Sequence, residues 1–119
     1  MDTNMILAIV QFRIDFFTQA KNLFGSKTVF VVTKKSIEEL EKLSKKNKAM
    51  KKNIELALEI IKKNNVQEVN IEAQNADECL EKLAAKGIII ATNDKALRKK
   101  IKVFGSHIFL KKKQFIAFE

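Results

Sequence analysis

Two short runs of mostly β-branched residues, TVFVV at 28–32 and IIIAT at 88–92, constrain this chain more than any other feature. Each is too short for a free-standing helix and too uniformly apolar for a strand with one wet face. Each therefore reads as a strand buried on both sides. Both pass within a few residues into helix-forming sequence, SIEELEKL at 36–43 and the basic stretch at 94–101. A strand handed directly to a helix, twice, predicts βαβ units and a mainly parallel sheet covered by helices on both faces.

The rest of the chain fits that plan. Residues 5–24 read as helix, with a break expected near Gln11–Arg13, and Gly25 and Ser26 close the segment. The lysine-rich stretch 44–52 reads as a solvated turn or helix start. Residues 53–63 place Ile54, Ala57, Leu58 and Ile61 on one helical face. VQEVNIE at 66–72 alternates as a strand. Residues 76–86 form a helix with Cys79, Leu80 and Leu83 inward, and Gly87 is its expected stop. HIFL at 107–110 and QFIAF at 114–118 read as closing strands around three lysines. With 119 residues, no proline and no linker-like stretch, one domain over 1–119 is expected.

Charge points to the partner. The net charge is +9, concentrated in two blocks: residues 33–63 hold ten cations against five acids, and residues 94–119 eight against two. Such blocks suit a polyanion, with RNA the expected one, or they simply solvate helix faces. Lys45, Lys46, Arg98, Lys99 and Lys100 are the candidate phosphate contacts, with 111–113 as a further cluster. The lone Cys79 lies on an apolar helix face and is expected to pack rather than react. One cysteine and one histidine cannot build a zinc site, and the absence of a disulfide suits a reducing cytoplasm. The longest early apolar run, 5–10, is far below the roughly 20 residues of a membrane span. His107 is expected at the surface or on a sheet edge.

Four acids fall where strands hand over to helices: Asp2, Glu39, Asp77 and Asp94. Each has a local explanation. Ser36-x-x-Glu39 and Asn75-x-x-Glu78 fit capping patterns, and acids in a first turn favour the helix dipole. Together they say more. Parallel strands end at one edge, so helix-start acids converge on the crevice where open α/β sheets bind ligands. Converging carboxylates repel unless a proton or cation neutralises them, and oxygen donors select Mg²⁺ or Mn²⁺. An acidic crevice with basic flanks predicts metal-assisted hydrolysis of a phosphodiester.

MDTNMILAIVQFRIDFF, SIEELEKL and NADECLEKLAAKGIIIATNDKALRKKI, taken in order, resemble the PIN-domain ribonucleases. The resemblance is nearest to small archaeal PIN proteins related to VapC toxins and to eukaryotic PIN nucleases that process ribosomal RNA. QFRIDFF is similar to a QF-x-V-D-x-F signature of that subgroup, and ATNDKALRKK is the most specific piece. The resemblance implies a three-layer α/β/α sandwich. Only Met1 precedes Asp2, so the first strand of that sandwich is expected to be missing or truncated, with a homodimer as one way to cover the exposed edges. It implies catalytic roles for Asp2, Glu39, Asp77 and Asp94, with Asp2, Asp77 and Asp94 as metal ligands. Glu38 and Glu78 are the neighbouring alternatives. Asn4, Thr92 and Asn93 match supporting positions. The implied activity is a divalent-metal endoribonuclease, in ribosomal-RNA processing or as a toxin held by an antitoxin. The alternative is a weakly catalytic module that binds RNA or a protein partner in ribosome assembly.

Overall fold

The computed structural model describes residues 1–105, 107–111 and 115–118, with side chains followed as far as Ile108. Helices α1 (Thr3–Gln11) and α2 (Phe16–Phe24) come first. Strand β1 (Val31–Thr33) leads into α3 (Lys34–Lys46), which is followed by α4 (Lys51–Lys63). Strand β2 (Gln67–Val69), α5 (Ala76–Ala85), β3 (Ile90–Ala91) and α6 (Lys95–Ile101) follow, and a 3-10 turn extends α6 over Lys102–Phe104. The chain closes with β4 (His107–Lys111) and β5 (Phe115–Phe118). The expected end of the lysine cluster, Lys112 and Lys113, and the expected start of the last strand, Gln114, lie outside the described residues.

Strands β1 and β2 pair in parallel, as do β3 and β4, while β5 returns antiparallel on β4. The two parallel pairs are joined through the first two residues. The Met1 ammonium donates to the Val31 carbonyl at 3.1 Å and the Asp2 amide donates to Ala91 at 3.0 Å. Successive residues thus bond to opposite neighbours, as residues inside a sheet do, and this stitches β1 to β3.

The layering follows from the two-residue period of a strand. Ile90 faces a small core with Leu80, Leu83, Ala84, Leu97 and Ile101 from α5 and α6. Its neighbour Ala91 faces the larger core, built on Met5, Phe16, Val32, Leu40, Ile54 and Ala57. Helices therefore cover both faces, as a three-layer α/β/α arrangement requires. Phe16, Phe17 and Phe30 anchor the larger core, with Phe17 edge-on to Phe30 at 4.8 Å between ring centres.

Helix ends show local chemistry at work. Arg13 takes φ 52° and ends α1, which accounts for the expected break. Gly87, at φ 88°, ends α5: its amide donates to Ala84 and the Ile88 amide donates to Leu83, the paired bonds of a Schellman stop.

Two expectations need correction. The runs 28–32 and 88–92 are not buried throughout: Val29 is 64% exposed, and Ile88 and Ile89 are 39% and 41% exposed. These residues line an apolar cleft of about 410 Å³ between the two parallel pairs, which leaves the regular strands shorter than the apolar runs. The Ser36–Glu39 capping box does not form either. Thr33 caps α3 instead, its hydroxyl accepting from the Ser36 amide at 3.1 Å and donating to the Ser36 hydroxyl at 3.0 Å. Glu39 consequently sits in the second turn of α3, not the first.

Candidate active site

Asp2 occupies the cap position of α1 yet makes no side-chain cap bond. It is 5% exposed, and its Oδ2 accepts a 2.8 Å hydrogen bond from the Thr92 hydroxyl. Thr92, wholly buried in the turn after β3, also accepts from the Asp94 amide at 3.1 Å. One threonine hydroxyl therefore joins the first acid to the backbone of the last. Beside them the Thr3 hydroxyl is buried without a hydrogen-bond partner among the described residues.

Asp94 answers both questions its position raises. Its Oδ1 caps α6, accepting from the Ala96 and Leu97 amides at 2.9 and 3.3 Å. Oδ2 takes no part in the cap; the side chain is exposed, and its charge acts on Asp2. Asp77 lies exposed in the first turn of α5. Its neighbour Glu78 is committed elsewhere: its amide donates to the Asn75 cap, its carboxylate accepts from the Gln74 amide, and Lys82 pairs with it at 3.7 Å. Asn4 and Asn93 are exposed at the starts of α1 and α6.

Electrostatics binds the four acids into one group. Burial is the largest cause raising the Asp2 carboxyl above its usual range; the Thr92 hydroxyl opposes this, and the charges of Asp77 and Asp94 raise it further. Glu39 is raised by burial first, then by Asp2 and Asp77. Asp2 thus feels both Asp77 and Asp94, and Glu39 feels both Asp2 and Asp77. The nearby Met1 ammonium is pushed down to about 6, burial outweighing its attraction to Asp2.

The group's fit to a divalent ion can be judged from its donors. All four are carboxylates, two are held above their usual range by burial and by neighbouring carboxylates, and the hydroxyl of Thr3, next in the chain to Asp2, is buried without a partner among the described residues. That donor chemistry fits a hard cation. Among the described residues, however, no three such side chains stand close enough to hold one ion directly. Mg²⁺ commonly binds through one or two carboxylates and keeps several waters, so direct contact from all four is not required.

The basic candidates divide. Lys45 and Lys46 are exposed at the end of α3, and Lys99 is exposed on α6 with Arg98 partly buried beside it. Lys100 points to the other side of α6 and pairs with Glu81 at 3.6 Å. His107 contradicts the expected surface position. It is 2% exposed, on the strand between β3 and β5, and its Nε2 accepts from Arg98 Nε at 3.0 Å. Cys79 is buried as expected, and no described helix is long and apolar enough to cross a membrane. Sequence reasoning missed the paired hydroxyls of Thr33 and Ser36, which a T-x-x-S pattern before a helix could have flagged.

A sheet edge gathering acids from the starts of α1, α5 and α6 defines a class, and the family comparison agrees: the PIN-like domain matches residues 1–113, and the chain belongs to that family. Among solved structures it is similar to the PIN domain endonuclease Utp24, at 26% identity and a TM-score of 0.79, over 99% of this chain and 87% of that one. No curated protein sequence matches it.

Proposed function

We propose that this chain is a divalent-metal-dependent endoribonuclease that hydrolyses RNA phosphodiester bonds, with Asp2, Glu39, Asp77 and Asp94 as its acidic centre. The observation that carries this reading is that the charges of Asp77 and Asp94 act on the buried Asp2, and those of Asp2 and Asp77 on Glu39, within a chain of net charge +9. A basic protein that collects its acids in one crevice suits a cation on the inside and a polyanion on the outside.

In this reading Asp2, Asp77 and Asp94 would hold Mg²⁺ or Mn²⁺ in part through its water shell, and the ion would supply an activated water and charge stabilisation at the phosphate. Thr92 fixes the Asp2 carboxylate and the backbone entering α6, so two acids keep their relative position. In this reading Glu39, whose carboxyl is raised, would accept or return a proton at the crevice. Asn4 and Asn93 flank the crevice as polar support, and Lys45, Lys46, Arg98 and Lys99 draw in the RNA backbone with little sequence preference, while Lys100 is paired with Glu81. Similarity to a PIN domain endonuclease supports a nucleic-acid strand as the substrate, and the basic blocks suit its phosphate backbone. The cellular setting proposed is the cytoplasm, in ribosomal-RNA processing or as a toxin restrained by an antitoxin.

The test is cleavage of labelled single-stranded RNA with Mn²⁺, by the wild type and by Asp94→Asn. Metal-dependent cleavage by the wild type alone supports the reading; equal activity in both, or none in either, removes it. The spacing of the acids favours a second reading, a PIN-like module that binds RNA or a ribosome-assembly protein without cutting. That module would bind RNA in EDTA and retain its binding in Asp94→Asn.

A further inference from the structure

Glu39 stands at the head of a row of cations. Glu39, Lys42 and Lys46 are spaced at i, i+3 and i+7 along α3, which puts them on one side of the helix. Glu39 ties this row to the crevice: burial first, then Asp2 and Asp77, raise its carboxyl, and Lys42 opposes them. The opposite side of α3 is used for packing, with Ser36 and Leu40 fully buried and Leu43 against the larger core. Glu39 to Lys46 is a rise of about 10 Å along the helix axis. The turn beyond adds Lys48 and is held in place: Asn47 Oδ1 accepts from the Ala49 amide at 3.1 Å, and the Lys51 amide donates to the Lys48 carbonyl at 3.3 Å.

These cations lack a paired acid. Lys42, Lys46 and Lys48 are exposed, and none forms an ion pair among the described residues. No acid lies three or four residues from Lys46 or Lys48 in the sequence. Helix stability does not account for them either. Lys42 and Lys46 are like charges one turn apart, which weakens a helix. Lys51 and Lys52 follow Lys48 into the first turn of α4, the end where the dipole disfavours cations. Local cost with no local partner suits an external ligand of repeated negative charge.

A row one lysine wide suits one strand. Successive phosphates of a stacked strand advance about 3.4 Å, so a row of about 10 Å spans about three nucleotides. We propose that this face of α3, with Lys42, Lys46 and Lys48, is the track along which a single strand of RNA runs to the acidic crevice, and that it selects substrates with about three unpaired nucleotides on that side of the cut. This rests on the reading of the chain as an RNA-binding PIN nuclease, though not on its cleaving RNA.

The experiment follows binding of an unstructured RNA oligonucleotide by fluorescence anisotropy in EDTA over a range of salt, so that neither metal nor cleavage enters. For single strands, log K falls against log salt with a slope of about 0.7 per phosphate contacted. The triple variant Lys42→Gln, Lys46→Gln, Lys48→Gln is expected to bind more weakly and to lose about 2 units of slope. The triple variant Lys62→Gln, Lys63→Gln, Lys86→Gln changes the net charge equally. Its exposed positions lie just ahead of β2 and β3, at the sheet edge opposite the crevice, and it should keep the wild-type slope. Equal losses in the two variants would reduce the row to general charge and overturn the proposal. Glu39→Lys adds a cation at the head of the row and should gain about 0.7 units, whereas Glu59→Lys on α4 should gain none. No gain from Glu39→Lys would mean that the strand does not reach the crevice, which also overturns it. So would a blunt RNA duplex bound as tightly as the single strand, or an acidic peptide that competes as well as RNA. Cleavage by the wild type with equal slopes strikes the track alone; the expected slopes without cleavage strike the nuclease reading and leave the track standing.

Discussion

The Thr92 hydroxyl donates to Asp2 Oδ2 at 2.8 Å, linking residues ninety positions apart in the chain. Because the same hydroxyl accepts from the Asp94 amide, Thr92 both satisfies a buried carboxylate and sets the turn that launches α6. Thr92→Val keeps the shape and removes both bonds. A buried polar group left unpaired costs about 1–3 kcal/mol, and that loss is expected in denaturant titrations. Thr92→Ser should recover most of it. Equal stability of the wild type and the valine variant would show that the link carries no weight.

Asp2 should trade stability for chemistry. Its charge is buried and opposed by Asp77 and Asp94, while its neutral form would be tolerated. Asp2→Asn keeps an oxygen for Thr92 and removes the charge. In EDTA at pH 7 the variant is expected to be about 0.5–2 kcal/mol more stable than the wild type, by thermal or urea unfolding, and to lose RNA cleavage. A destabilised variant would contradict the electrostatic account of the crevice.

The pH dependence follows the same logic. Asp2 and Glu39 are raised in the folded protein above ordinary values of 3.8 and 4.5. Their contribution to stability is full below those ordinary values, where both states are protonated. As pH rises, the unfolded chain loses its protons first, and the contribution is lost until the folded carboxyls ionise too. Without divalent ions, the share of stability from these groups should therefore fall as pH climbs out of the carboxylate range. Glu39 adds less than Asp2 because its side chain reaches solvent. Saturating Mn²⁺ should flatten or reverse that fall, which differential scanning calorimetry at several pH values would reveal.

Leu40 separates scaffold from site. It is fully buried one residue after Glu39 and packs in the larger core. Leu40→Ala is expected to cost about 2–5 kcal/mol in urea unfolding, as other core truncations of this size do. At temperatures where the variant remains folded, its affinity for RNA in EDTA should be unchanged. A parallel loss of RNA affinity in fully folded protein would show that core packing and RNA contact are not separable.

The plan of the fold was legible where periodicity and burial coincide. The breaks at Arg13 and Gly87, the helices and the parallel pairs all follow from local pattern. The limits of β1 and β3 were not, because Val29, Ile88 and Ile89 are apolar for a cleft rather than for a buried sheet. The start of α3 was misread because two caps compete there: Thr33 reaches the Ser36 amide and displaces the box built on Ser36. Its place on a late strand away from the acids sent His107 to the surface or a sheet edge, yet Arg98 donates to its Nε2 and the ring is buried. Strand-to-helix topology led to the expectation that the acids converge, and the charges of Asp77 and Asp94 do act on Asp2, although no three of these side chains stand close enough to hold one ion directly among the described residues. The Thr92–Asp2 bond was not foreseeable, since no local spacing encodes a contact between residues ninety positions apart in the chain.

The most direct measurement is a calorimetric titration of Mn²⁺ into the wild type, Asp2→Asn and Asp94→Asn. If the acids share a cation, the wild type binds Mn²⁺ and each variant binds it at least about tenfold more weakly, the lower end of what altering metal-site support commonly costs. Equal Mn²⁺ affinity in all three proteins, or none in the wild type, would contradict the shared-ion account.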